Sequence, residues 1–326
     1  MSALRREVRR ALVAAPLTLA LIAAGCVGDD PAPSAAATPD ASDFPAADGK
    51  TLEQLNGDVP ESELVILPAA QVFEPGENRY GFGVFTVEHG NVPDAQVALY
   101  AAPPNGEAVG PFPATAASLE TKPAFASVST TTDPDAATSV YTANLKLAEN
   151  GPWRIMAMIR DDEGDLSWAY ANQDASVGDF PDIPGPGDPA PMVHTPTADD
   201  VGGDLTKIDT RQPPDTMHDI DYADVLGKEP TVLLLATPAL CMSRVCGPVV
   251  DIAEEVKSER PDDAAYIHVE IYEENNIGKG PNEQVRAFNL ESEPWLFVID
   301  EEGKVSTRIE GAFSAAELNA AIDKVN

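Results

Sequence analysis

Cys241 and Cys246 are separated by Met242, Ser243, Arg244 and Val245, and they follow the apolar run Thr231-Val232-Leu233-Leu234-Leu235-Ala236. Two thiols this close can cycle between dithiol and disulfide, form an inert bridge, or hold a soft metal ion. If all six residues were helical, the two Cα atoms would stand roughly 8–9 Å apart, from helix rise and radius. A disulfide needs roughly 4.4–6.8 Å. Bonding therefore requires Cys241 in a loop and Cys246 near the first turn of a helix, and Thr237-Pro238 fits such a loop. A bridge across four residues returns little loop-closure entropy, which favours exchange chemistry over a purely structural staple. A helix N-terminus favours the thiolate form, and Arg244 adds positive charge nearby. Order in the motif favours Cys241 as the attacking thiol, helix position favours Cys246, and the choice stays open.

Other candidate groups are sparser. His268 shares a strand face with Glu270, because side chains alternate along a strand. Cys241, Cys246 and His268 are therefore the metal alternative, a soft copper site. The plainer reading of His268 is a central-strand histidine satisfied by a neighbouring segment. His194 and His218 have no evident partner and are read as exposed, and His89 lies in the Gly90-Asn91 turn. Asp161, Asp162, Glu163 and Asp165 miss the spacing of a calcium loop and read as a hairpin turn. Gly278-Lys279-Gly280 fits neither a phosphate loop nor a dinucleotide fingerprint, so no cofactor is expected. Ser243 has no neighbouring histidine to act as its base.

The elements that must position the cysteines follow from periodicity. After the buried strand 231–236 come a helix over about 247–258, a strand at 265–272 and a helical segment around 283–288. A strand at 295–300, a turn at Glu301-Glu302-Gly303-Lys304, a strand at 305–309 and a helix over 314–325 complete the chain. This order gives parallel strands joined by helices, then a hairpin and a last helix.

Over residues 201–326 these features resemble the thioredoxin superfamily. The resemblance rests on cysteines at the end of the first central strand, on Gly247-Pro248 opening the next helix, and on Glu293-Pro294 before the hairpin strand. It implies a cis peptide bond at Pro294, packed beside the cysteines, with Pro294 and Glu293 shaping the edge where a partner binds. X-Pro bonds are the ones where cis costs little. A Glu293 carboxylate there would oppose thiolate formation and favour the oxidised pair. The usual family pair has two intervening residues, whereas this one has four. Cys246-Gly247-Pro248 is an alternative alignment to the family's first cysteine, which would put Val249 at the resolving position. Thr237 to Pro248 also resembles the copper-chaperone branch, but the late histidine of that branch has no counterpart after His268.

Residues 61–178 read differently. Segments 80–87, 95–100 and 153–160 alternate with period two between turn signals, which predicts an all-β sandwich. Tyr141 to Leu145 followed by Gly151-Pro152-Trp153 resembles the late strands of immunoglobulin-like modules. The expected fold is thus multidomain, an N-terminal all-β immunoglobulin-like sandwich followed by a C-terminal α/β thioredoxin-like domain. A Pro/Gly-rich stretch at 179–200 is expected to be the linker. Residues 26–60, rich in Ala, Pro, Asp and Gly, are expected to be a disordered tether.

At the start of the chain, four arginines precede a short apolar stretch ending in Ala23-Ala24-Gly25-Cys26. This resembles a bacterial lipoprotein signal over residues 1–25, with lipidation (palmitate-type acylation) at Cys26 and placement on the extracytoplasmic face of the cell membrane. The formal charge of −33 argues against nucleic acid as a partner. The expected function is a membrane-anchored thiol-disulfide oxidoreductase acting on an exported protein substrate or redox partner through Cys241 and Cys246, with Pro294, Glu293 and Arg244 as site residues. The alternative is a non-catalytic binding lipoprotein, with the dithiol as copper site or structural bridge and the sandwich as docking module.

Overall fold

A computed structural model describes residues 37–180, 182–241 and 243–326. The expected signal segment, the Cys26 acylation site and the first part of the expected tether lie outside them. No helix among the described residues is long and apolar enough to cross a membrane.

The sandwich is built from β1 (Val65–Pro68), β2 (Gly76–Phe85), β3 (Gln96–Ala102), β4 (Val109–Pro113), β5 (Thr115–Ser118), β6 (Ser139–Leu147), β7 (Gly151–Arg160), β8 (Leu166–Tyr170) and β9 (Ala175–Val177). One sheet runs β1-β2-β6-β5 and the other β4-β3-β7-β8, with β9 also on β7. Two antiparallel sheets in this order form an immunoglobulin-like sandwich. Phe82, Tyr80, Tyr141, Leu99, Ile155 and Trp153 fill the space between the sheets. The acidic run at 161–165 is the β7–β8 turn, closed by Asp161 and Asp165.

The described part of the expected tether, residues 37–60, is folded against the sandwich, which corrects that reading for these residues. Phe44, Ala47, Leu52 and Leu55 pack on the outer face of the second sheet, against Ala98, Tyr100, Met156 and Met158. Helix α1 (Leu52–Asn56) starts from a Thr51 capping box. The expected linker is also part of the core. Ile183, Ala190 and Val193 are buried, and residues 187–190 exchange backbone hydrogen bonds with Gly303 and Val305.

The C-terminal domain contains α3 (Tyr222–Val225), β10 (Thr231–Leu235), α4 (Cys246–Glu259), β11 (Ala265–Val269), α5 (Glu283–Ala287), β12 (Trp295–Ile299), β13 (Val305–Glu310) and α6 (Ala315–Ile322). Its sheet runs β11-β10-β12-β13. β11 is parallel to β10, and β12 is antiparallel to both β10 and β13. α4 and α6 cover one face, while α5 and the segment from 183 to 193 cover the other. This strand order, with helices on both faces, is the thioredoxin-like architecture, and the Glu293–Pro294 bond is cis.

The two domains share a core. The β5–β6 connection carries α2 (Val128–Thr132) onto the start of α4, and Ala117, Leu119, Ala137 and Val140 join the cluster that contains Cys246, Val249 and Val250. The backbone N–H of Ser127 donates to buried Asp251 at 2.8 Å. Arg79 pairs with Glu317 at 2.7 Å, and Arg308 with Glu74 at 2.7 Å. At Gly311, with φ +80°, a Cβ would overlap the carbonyl oxygen of Ala69, so only glycine permits the approach.

Candidate functional site

The sheet register assembles the site. Leu235 pairs with Val269 on one side and Trp295 on the other. The loop after β10, the first residue after β11 and the dipeptide before β12 therefore meet at one end of the sheet. These carry Cys241, Glu270 and Glu293-Pro294.

Cys241 and Cys246 form a disulfide with a Cα–Cα separation of 6.0 Å. Cys246 is the first residue of α4 and fully buried, whereas Cys241 lies in the turn and is half-buried. This is the loop-plus-helix placement that the five-residue spacing requires. Val245, at the N-cap, supplies no side-chain cap, so the first N–H groups of α4 can favour negative charge on sulfur. The Sγ of Cys241 lies 3.0 Å from the Ser243 hydroxyl, a donor for a thiolate. Arg244, in a left-handed conformation at φ +62°, pairs with Asp135 of the sandwich at 3.1 Å, which offsets its charge.

Glu293 offers a carboxylate oxygen that lies within 4.8 Å of both sulfurs. Its Oε2 is buried without a hydrogen-bond partner. Burial, reinforced by the charge of Glu270, raises its carboxyl to about 7. Burial also raises the carboxyl of Glu270, whose Oε1 accepts from the Thr210 N–H at 2.6 Å. The site thus pairs a disulfide with a carboxyl group that exchanges its proton near neutrality.

His268 does not belong to this group, which corrects the copper alternative. Its Nδ1 is 2.7 Å from Asp215 Oδ2 and its Nε2 is 3.1 Å from the Ala236 carbonyl. Burial alone would lower the affinity of the ring for its proton, but the Asp215 carboxylate outweighs it and raises that affinity. The same pairing holds the Asp215 carboxyl below its usual range, against the effect of burial. His218, expected to be exposed, is 2% exposed beside them. His194 is exposed as expected but pairs with Asp221 at 2.5 Å. His89 occupies an exposed turn at φ +68°.

Sequence reasoning missed Glu270 as part of the redox site, missed Asp209 and Asp215, and read His218 as exposed. For Glu270 a signal was available, since it is the residue after β11 at the end of the sheet where the cysteine loop also lies.

Several solved structures are similar to this chain. One is a thiol:disulfide interchange protein of the thioredoxin family from Chlorobium tepidum, at 20% identity and a TM-score of 0.29, covering 45% of this chain and 99% of that one. A thioredoxin-like superfamily protein is similar at 19% identity and a TM-score of 0.26, over 33% of this chain and 85% of that one. A protein described as a DsbE-type thiol:disulfide interchange protein, also from Chlorobium tepidum, is similar at 14% identity and 0.28, over 42% and 96%. No family model and no curated protein matches the chain. The fold assignment rests on strand order and register.

Proposed function

We propose that this protein is a thiol-disulfide oxidoreductase that works through Cys241 and Cys246, held by a Cys26 lipid anchor on the extracytoplasmic face of a membrane. The observation that carries the redox reading is the Cys241–Cys246 disulfide at the start of α4, in reach of a Glu293 carboxyl raised to about 7. The anchor rests on the residues around Cys26 alone.

In the oxidising direction, a partner thiolate attacks the half-buried Cys241 sulfur. The Cys241–Cys246 bond breaks, a mixed disulfide forms, and Cys246 leaves as thiolate. The N–H groups of α4 stabilise that leaving thiolate, and the protonated fraction of Glu293 supplies a proton to it. A second partner thiolate then displaces Cys241, so the partner carries the new disulfide and this protein the dithiol. The reverse sequence reduces a partner, with the Glu293 carboxylate accepting the proton as Cys246 closes the bond. The greater exposure of Cys241 supports it as the sulfur that meets the partner.

Equilibration with thiol buffers tests the reading. A reversible potential of roughly −120 to −270 mV, with a mixed disulfide trapped on Cys241 by Cys246→Ser, is the expected result. A potential below roughly −300 mV with no trapped species would leave a structural bridge. A binding role has one observation in its favour, the convergence of both sulfurs and Glu293. Stoichiometric copper uptake by the reduced protein, lost in Cys241→Ser and weakened in Glu293→Gln, would establish it.

A further inference from the structure

Beneath the cysteine loop, the segment from Asp209 to His218 lies along the free edge of β11, where the His268 N–H donates to the Met217 carbonyl at 3.0 Å. This loop brings Asp209, Asp215 and His218 to His268, all at most 2% exposed. One ligand atom from each lies within 4.8 Å of every other. We propose that these four residues form a buried site for a divalent transition-metal ion, zinc foremost, that fixes the loop supporting the cysteines.

Three observations carry the assignment. First, both ring nitrogens of His218 lack a hydrogen-bond partner although the ring is buried. Its Nε2 stands 3.4 Å from Asp209 Oδ2 and 3.3 Å from Asp215 Oδ1, without hydrogen-bond alignment. Two ligand atoms each about 2.0–2.1 Å from a tetrahedral zinc are themselves about 3.3–3.4 Å apart. Second, the outer partners of a metal site are in place. His268 can donate from Nε2 to the Ala236 carbonyl, leaving Nδ1 toward the cluster. Asp209 Oδ2 accepts from the Asp215 N–H, and Asp215 Oδ1 from the Met217 N–H, each at 2.8 Å. A carboxylate oxygen keeps a second lone pair for an ion. Third, Asp209 and Asp215 bring two buried carboxylates into the cluster, and a dication that takes the place of imidazole protons cancels their charge. Loading must lengthen the 2.7 Å contact between His268 and Asp215 by several tenths of an ångström.

Two imidazoles and two carboxylates suit zinc and its neighbours in the first transition row, and lack the thiolate that would select copper(I). With every ligand buried, the ion enters as the loop folds.

The test uses the full chain without a histidine tag. It is unfolded in guanidinium with a chelator and no reductant, so that the disulfide persists, and refolded with zinc chloride or with chelator. Expected are about one equivalent of zinc after desalting, a higher Tm than in chelator, and cobalt(II) bands of a four-coordinate N/O site. The Cys241→Ser/Cys246→Ser double variant keeps the ion. His218→Ala weakens affinity at least about 100-fold. Asp209→Asn does the same should His218→Ala fail to fold. The proposal is overturned if the wild type refolds with equal Tm in chelator and takes up no zinc or cobalt, which would leave a cluster balanced by protons. Uptake that disappears with the cysteines would equally overturn it.

Discussion

The two domains are of comparable size but treat charge in opposite ways. Within β1–β9 the buried core is aliphatic and aromatic, and the buried polar groups of that domain are Ser127 and Ser139. The C-terminal domain buries Asp209, Arg211, Asp215, His218, Asp251, His268 and Glu270. Removing charges from water costs several kcal/mol each unless they are paired, so a domain that retains so many has a use for them. The contrast concentrates the buried ionisable groups, and with them the proposed chemistry, in the C-terminal domain.

The contrast is most open to disproof at Arg211. Its Nε donates to Asp251 at 2.8 Å, and its Nη1 and Nη2 reach the carbonyls of Pro213 and Phe125. Arg211→Met leaves Asp251 buried without its cation, and chemical denaturation should show a loss of about 3–5 kcal/mol. A loss below about 1 kcal/mol would mean that water reaches these charges and that the comparison fails. In the sandwich, Tyr141 is the matched neutral case. Its hydroxyl donates to the Val92 carbonyl at 2.7 Å and accepts from the Ala95 N–H at 2.8 Å. Tyr141→Phe should cost about 1–3 kcal/mol, with no dependence on pH between 4 and 8.

Glu293 gives the smallest effect and the sharpest signature. Its carboxyl is raised from 4.5 to about 7 by burial. The folded state therefore holds the proton more tightly than the unfolded chain, and the protonated form's stabilising contribution, present below about pH 4.5, is lost as pH rises through about 7. Glu293→Gln removes that loss. Allowing for partial solvent screening, the variant should be more stable than wild type by about 1–2 kcal/mol at pH 8 and equal to it at pH 4. Denaturation midpoints across that range would show it. The reverse order of stabilities would mean that the carboxylate form is the one the fold favours.

Much of the C-terminal domain was legible because its signals are local. The order of strands and helices follows from periodicity, and the cysteine spacing dictates a loop-to-helix placement. Residues 37–60 and 183–193 were misread because composition ignores what a neighbour leaves uncovered. β3 is apolar from Val97 to Ala102 without alternation, and every one of those residues is buried. A strand apolar on both faces needs a cover on its outer side, so β3 itself called for the layer that Phe44 and Leu52 supply. His218 was misread for a related reason. Asp-rich loops are usually solvated, and only the long-range placement of β11 turns this one inward.

Gly311 touching Ala69, together with the packing of residues 183–193, bears on how this chain can be handled. The proline-rich stretch looks like the natural place to cut, yet severing it would remove Ile183, Ala190 and Val193 from one core and strip Leu119 and Val140 from the flank of α4. The redox half is not a detachable cassette. Grafting it elsewhere, or expressing it alone, means carrying the sandwich along or rebuilding the surface that the sandwich now hides.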